Sequence, residues 1–578
     1  MPFLEENPRF KGITLPPAGW VLTALLVIYI FPGLIGHDPW KHDDAISTGI
    51  AYDIAQHGNW LLLQLAGRAY PDAPLYYWIS ATVGKLFSWL MPFHDAARMT
   101  SGIFTLLALE FILLAARELH GRDYAAAAPL ILAGSIGFLF HAHEAQPMLV
   151  ALTAHTAAYW ALALLPRQRR KATLVFAAAF AAGFLANGLL PVITILPAMA
   201  IAVWQSENRS RDFIWLLAAA GIGALPCAAW LLAINAASPE YFDSFFRAEW
   251  ASLTWQAKPW GNFVNYANLL LWYAWPALPL AVWSVWTKRR VLVTRPLAIP
   301  LYSFVVVLTL LTLLTSLRSA TALLLLPPLV LLAVAGVGNL RRGAANAFDW
   351  FGMVTFTFFA AIAWIGWSAL VFGWPERLAR QAVRLEPGFV GVFSTPAFFI
   401  ALTCTGIWFW MIVTSPRSPM RGIMHWMAGL TLFWLLLASL WMPWIDYGKT
   451  FRDVSASLRK ALPAEMKKDC VAGAGLPLSF LATLDYFQGV RVVPQKDDQA
   501  AACSWLLTQG SQHNPKELAE SGWRQEWSGN RPSDRRSDDK FHLYRRGRKA
   551  EPANDLTGLG SASTEPDPAI PNRARGIE

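Results

Sequence analysis

Apolar runs of about twenty residues recur along most of this chain, and that pattern decides its class. A helix of that length matches the ~30 Å hydrocarbon core of a bilayer. Thirteen runs are read, near 17–36, 97–118, 124–140, 147–165, 172–187, 188–204, 212–235, 263–287, 296–315, 319–338, 349–373, 395–414 and 423–445. The shortest are 124–140 and the pair that meets at Asn187-Gly188. Charged residues make up only 15% of the 578, against about 25% in soluble domains. The 29 tryptophans suit aromatic belts at the two membrane surfaces. The first run is long and lacks a small-residue cleavage site, so it reads as a retained span. The expected fold is a polytopic α-helical membrane protein of about thirteen spans with a small α/β C-terminal extracytoplasmic domain.

Orientation follows from lysine and arginine, which favour cytoplasmic loops. RQRRK (167–171), NRSR (208–211), TKRR (287–290), LRR (340–342) and PRSPMR (416–421) all fall on one side of a thirteen-span chain, together with the N-terminal ENPRFKG. The N-terminus is therefore expected in the cytoplasm and the C-terminus outside it. The net charge of +10 is accounted for by these loops and gives no nucleic-acid signal. The loops 37–96, 141–146, 236–262, 316–318 and 374–394 then share the outer face. Within the first, AISTGIAYDIAQHGNWLL and PLYYWISATVGKLFSWL have helical apolar spacing and read as amphipathic helices in the interface.

Three regions follow: a membrane domain over 1–445, a polar domain over 446–546, and a Pro-, Ser-, Asp- and Arg-rich tail over 547–578 with the composition of disorder. In the second, helical stretches alternate with the short apolar runs DCVAGAGL, VRVV and CSWLLTQG, in the order helix, strand, helix, strand, strand. Cys470 and Cys503 each begin one of those strands on the oxidising side, so a disulfide is a candidate.

The chemistry gathers on the outer loops. The first carries His37, Asp38, Lys41, His42, Asp43, Asp44, Asp53, Tyr70 and Asp72. HAHEAQ supplies His141, His143, Glu144 and Gln146; the third loop supplies Asp243, Arg247, Glu249 and Lys258; Arg318 closes a later turn. A carboxylate can take a proton from an attacking hydroxyl, and arginine or lysine can hold a phosphate leaving group. The residues also allow plainer readings. Asp43-Asp44 and Glu144 have the chemistry of helix caps, and His141 and His143 that of interfacial residues. The histidine–acid clusters have no fixed metal-ligand spacing, so a divalent metal is not required by the sequence.

The motif PWKHDDA, then HGNW, then GRAYPDAPLYYW resembles the first outer loop of the bacterial GT-C glycosyltransferases that include protein O-mannosyltransferases and the aminoarabinose transferases of lipid A. That family's pattern is roughly PWxxDEARYA, SGDW and GxPYxxKPPLxYW. GFLANGLLPVITILP, WYAWPALPLAVW and TSLRSATALLLLPPLVLLA resemble its later segments, in family order across about residues 17–340. The resemblance implies an inverting transferase that uses a polyprenyl-phosphate sugar donor and a lipid, glycan or protein acceptor at the periplasmic face of the bacterial inner membrane. By that match Asp43 is the catalytic acid, with Asp44 beside it and Glu144 or Gln146 as the second polar position. His42, Tyr70, Asp72, His143, Arg247, Lys258 and Arg318 are candidate substrate contacts. Departures are clear: Ile46-Ser47 replace Arg-Tyr, Asp72-Ala73 replace Glu-Lys, and Asn187-Gly188-Leu189 replace Lys-Gly-Pro. A flippase of lipid-linked sugars and an inactive relative are the rival readings. A transporter calls for internal repeats and mid-span ionisable groups; only Glu110 is of that kind.

Overall fold

The computed structural model describes residues 19–463, 469–495, 497–510, 518 and 520–547. The N-terminal basic segment and the tail expectation from 548 onward lie outside the described residues. Each apolar run is helical. In chain order, α1 (Gly19–Ile30) leads to two loop helices, α2 (His42–His57) and α3 (Leu75–Phe87), and then to α4 (Phe93–His120). The brief run 124–140 is split into α5 (Ala127–Ala133) and α6 (Ile136–Ala142). The bundle continues with α7 (Met148–Leu164), α8 (Arg169–Asn187), α9 (Leu189–Trp204) and α10 (Arg209–Ala237). A third loop helix, α11 (Pro239–Ser252), follows, and then α12 (Pro259–Tyr273), α13 (Ala277–Thr287), α14 (Arg295–Leu314), α15 (Leu326–Val337) and α16 (Arg342–Phe372). The remaining membrane-domain helices are the amphipathic α17 (Glu376–Leu385), α18 (Thr395–Thr414), α19 (Arg421–Leu436) and α20 (Met442–Lys449).

Six of the described helices are long and apolar enough to cross a bilayer, or seven if the bent pair α12–α13 is one span. That pair turns through 101° at Ala274–Pro276, where the proline has no N–H to carry the helical ladder onward. The run 263–287 is therefore not the straight span expected from its length. Shorter apolar helices such as α7 and α9 fill the interior, where Leu149, Val150 and Ile195 are buried.

The first loop departs from the surface-lying arrangement expected of it. Along α2, Asp44, Ala45, Ile46, Ile50, Asp53 and Ile54 are all buried, because the helix is covered on two sides. On one side it packs against α3 and α4. On the other lies α22 (Leu478–Gln488) of the C-terminal domain. The approach is close enough that a Cβ on Gly49 would fall 2.8 Å from the Cβ of Ala482. The helix stops at Gly58, whose φ of +74° suits a residue without a Cβ. A small hairpin, β1 (Gln64–Leu65) and β2 (Arg68–Ala69), follows it.

The C-terminal domain comprises α21 (Arg452–Ala461), α22 and strands β3 (Val471–Ala474), β4 (Val492–Pro494), β5 (Trp505–Gln509), β6 (Trp523–Gly529) and β7 (Phe541–Arg546). The sheet order is β4-β3-β5-β7-β6, with β3 parallel to β4 and β5 and the other pairs antiparallel. Three strands were legible as apolar runs. The two C-terminal ones were not, because WRQEWSG lies at an edge with its polar side chains exposed. Cys470 and Cys503 form a disulfide with Cα atoms 4.7 Å apart.

Charged contacts seat this domain on the first loop. Arg452 forks onto the buried Asp38, Thr450 Oγ1 donates to Asp38 at 2.7 Å, and Asp446 accepts from the Asp38 N–H at 2.9 Å. Arg491 reaches Asp53 at 2.9 Å, and Arg68 donates to the Val492 carbonyl at 2.8 Å.

Candidate active site

The first turn of α2 is built around one buried arginine. Arg98, on α4, is 0% exposed. Its Nε and Nη2 donate to the two oxygens of Asp44 at 2.9 and 3.0 Å, while Nη1 donates to Asp95 at 3.1 Å and to the Leu34 carbonyl at 2.9 Å. The backbone N–H of Ala145 adds a further bond to Asp44 at 2.8 Å. Burial pushes the Asp44 carboxyl up, but the Arg98 charge and these bonds outweigh it and hold the group below the usual range. Asp44, read from sequence as a catalytic partner or a cap, is neither in this geometry. It anchors α2 to α4 and to the 144–146 segment. The helix begins at His42, so Asp43 and Asp44 lie inside its first turn and not at the cap, and Lys41 at the N-cap makes no side-chain capping bond.

Asp43, one residue earlier, is half-buried. Among the described residues its carboxylate takes one bond, from Gln146 Nε2 at 3.0 Å. Gln146 is itself buried and braced, its backbone N–H meeting Ser101 Oγ at 3.4 Å. Ser101 donates to the Glu144 carbonyl at 2.5 Å and shares a 2.9 Å bond with Tyr76. A rigid polar shelf therefore aims Asp43 and leaves oxygen lone pairs for a substrate hydroxyl.

Glu144 pairs with Lys41 and lies 3.8 Å from His141. Burial raises its carboxyl, but the Lys41 charge and the His141 contact overcome that and bring it down to about 2. Glu144, offered by the sequence as a catalytic carboxylate, is in this geometry the counter-ion of Lys41. His143 is buried, with ring nitrogens 2.7 Å from the Leu139 carbonyl and 2.8 Å from that of Tyr29, and its ring lies tilted against that of Trp434 at 4.6 Å. Both of its polar atoms face backbone, which corrects its reading as a substrate contact. His42 is exposed beside Asp43.

A second polar group lies at the junction of α8 and α9. Asp72 accepts from Tyr77 Oη and from the Ala73 N–H, both at 2.8 Å. The Tyr70 carbonyl accepts from Tyr241 at 3.0 Å. Glu249, on α11, accepts from the Leu189 N–H at 2.8 Å. Gly188 has a φ of +63°, and a Cβ there would lie 2.1 Å from Glu249 Oε2, so glycine is needed on both counts. Burial pushes the Glu249 carboxyl up to about 7, with a further contribution from Asp72. A carboxyl thus occupies the place beside Asn187-Gly188-Leu189. Sequence reasoning listed Glu249 among the outer-loop acids but had no signal for this pairing.

The cations expected to serve a phosphate are dispersed. Arg247 is exposed, its Nε 3.4 Å from the Asp243 carbonyl, beside a shallow dent of about 360 Å³. Lys258 is exposed at the N-cap of α12. Arg318 lies in the turn before α15. Tyr273 ties that turn to the site, since its hydroxyl donates to the Ser319 carbonyl at 2.7 Å and its ring lies 6.2 Å from that of His141. Sequence reasoning did not single out Arg98, which stands near the start of the apolar run 97–118. Among the described residues no group of three or more His, Cys, Asp and Glu side chains is arranged to hold a metal ion.

No family model matches the chain. It is 27% identical over 512 residues to an undecaprenyl phosphate-alpha-4-amino-4-deoxy-L-arabinose arabinosyl transferase of Pseudomonas aeruginosa, covering 84% of this chain and 83% of that one. It is 26% identical over 442 residues to the enzyme of the same name from Pseudomonas savastanoi pv. phaseolicola, covering 69% and 77%. In fold it matches the crystal structure of ArnT from Cupriavidus metallidurans bound to undecaprenyl phosphate, with a TM-score of 0.66, 16% identity and coverage of 94% and 99%. The likeness to GT-C aminoarabinose transferases read from the first-loop motif therefore extends over most of the chain in sequence and over nearly all of it in fold.

Proposed function

We propose that this protein is an inverting membrane glycosyltransferase that moves a sugar from a polyprenyl-phosphate donor to a lipid, glycan or protein acceptor. The observation that carries this reading is Asp43, held by Gln146 on a braced shelf with acceptor capacity to spare, in a chain that shares the fold of an undecaprenyl-phosphate-binding transferase. Asp43 takes the proton of the acceptor hydroxyl, whose oxygen attacks the anomeric carbon. The bond to the donor's phosphate oxygen breaks with its electron pair, and a cation stabilises the charge that appears there. Tyr70, Asp72, His42 and Gln146 line the approach for sugar and acceptor in this reading, and Arg247, Lys258 and Arg318 border it.

The reading places the site at the periplasmic face of the inner membrane. It takes the thirteen apolar segments as thirteen crossings, with residues 1–445 as the transferase body and 446–546 as an outer domain. The basic loops support that orientation, and so does the Cys470–Cys503 disulfide, which belongs to an oxidising compartment. Glu110 faces outward from α4 and not into the bundle, which gives no support to a transport path. Purified protein in lipid vesicles is expected to transfer label from a radiolabelled undecaprenyl-phosphate amino sugar to lipid A, and in intact cells a tag after Arg546 is expected to be accessible from the periplasm. Absence of transfer with every polyprenyl-phosphate sugar tried would remove the reading.

A further inference from the structure

We propose that Lys41 is the cation that receives the donor's phosphate, with Glu144 as its partner while the site waits. This rests on the lipid-phosphate reading above and gives the phosphate side of that reaction a residue.

The leaving group of the reaction is a phosphate that gains negative charge as the sugar departs. A site that accelerates the step places a cation where that charge develops. The described cations near Asp43 differ sharply in what they have left to offer. Arg98 is sealed, with its donors spent on Asp44, Asp95 and backbone carbonyls. Arg452 is forked onto Asp38, on the side that seats the C-terminal domain. Arg247 is held by its own helix at the surface.

Lys41 is two residues before Asp43, and its side chain is 29% exposed. Its described polar partner is a single oxygen of Glu144, while an ammonium has three N–H donors. Two remain for phosphate oxygens without breaking the Glu144 contact.

The placement also suits an inverting displacement. Lys41 meets Glu144 and Asp43 meets Gln146, so both act against one fixed strip of chain. Asp44 pins that strip through the Ala145 N–H. Base and cation are thereby held to one frame at separate points along it. In the step itself, the acceptor O–H proton passes to Asp43 and the acceptor oxygen bonds the anomeric carbon. The carbon–oxygen bond to phosphate breaks with its electron pair, and Lys41 holds the oxygen that receives it. Glu144 is the partner of the ammonium before the donor arrives.

The test is binding of undecaprenyl phosphate, and of undecaprenol as the phosphate-free control, to purified wild type, Lys41→Met, Lys41→Arg and Glu144→Gln. Lys41→Met is expected to weaken undecaprenyl phosphate at least tenfold and to leave undecaprenol unchanged. Lys41→Arg should restore most of the affinity. Glu144→Gln, which releases the ammonium, should bind the phosphate at least as tightly as wild type. Wild-type affinity in a folded Lys41→Met protein overturns the assignment. So does an equal loss in Lys41→Met and Glu144→Gln, which marks the pair as structural only. If wild type itself prefers undecaprenol, the lipid-phosphate reading fails, and the assignment with it.

Discussion

Two carboxylate-rich regions, at the start of α2 and at the α8–α9 junction, treat charge in opposite ways. Around the first turn of α2, buried acids have cations: Asp44 and Asp95 share Arg98, and Glu144 has Lys41. At the α8–α9 junction, Glu249 and Asp72 are held by N–H and O–H donors. The difference sets which acids are ionised. A paired buried acid stays charged and fixes its neighbours electrostatically, while an acid held by neutral donors is driven toward its protonated form by burial. Asp44 and Glu144 therefore stay ionised over the neutral pH range, while Glu249 changes protonation within it.

The sharpest way to break this contrast is to remove the arginine. Arg98→Met leaves Asp44 and Asp95 buried without their cation, a loss of about 3–5 kcal/mol, enough to abolish accumulation of folded protein. A melting temperature near that of wild type would show the pairing to be dispensable. Next in size is Gly188→Ala. It strains a positive φ and drives a methyl into Glu249, for about 1–3 kcal/mol; the cost should shrink in a Glu249→Ala background, because the two positions touch.

Smaller, and dependent on pH, is Glu249→Gln. The folded Glu249 carboxyl lies near 7, above its ordinary 4.5. Its contribution to stability is thus complete below 4.5 and is lost as pH rises through 7. The amide avoids that loss. Thermal melts should coincide near pH 4 and favour the variant by roughly 1–2 kcal/mol at pH 8. A constant difference at all pH values would place Glu249 in the charged class with Glu144. For Glu144 the order is reversed, since its carboxyl lies near 2. Its contribution is present above 4.5 and fades only as pH falls toward 2, so Glu144→Gln should show no change in relative stability between pH 6 and 8.

Much of the frame was legible from residue order. Helical length and apolar content marked every bundle helix, because hydropathy depends on runs rather than on partners. The bend at Pro276 shows the limit, since a single missing N–H turned one apolar run into two helices. The polar edge strand β6 escaped because alternation against solvent leaves no apolar run. The motif singled out Asp43 as the stronger candidate of the two aspartates, but the contacts that set Asp44 apart were not legible. Those contacts come from Arg98, 54 positions away, and from a backbone N–H at Ala145. Glu249 was likewise one acid among several until the fold set it against Leu189. His143 misled for the matching reason: a histidine beside an acid has the same spelling whether its ring meets substrate or carbonyls.

The central claim is that two adjacent aspartates do different work, Asp43 on the substrate and Asp44 on the fold. The most direct measurement is a paired one on purified Asp43→Asn and Asp44→Asn: melting temperature, and sugar transfer from an undecaprenyl-phosphate donor under single-turnover conditions. Asp43→Asn should melt within a few degrees of wild type and lose transfer by at least a hundredfold. Asp44→Asn should lose stability by about 3 kcal/mol or more, and whatever folded fraction survives should retain transfer. Undiminished transfer by a well-folded Asp43→Asn protein would contradict the account.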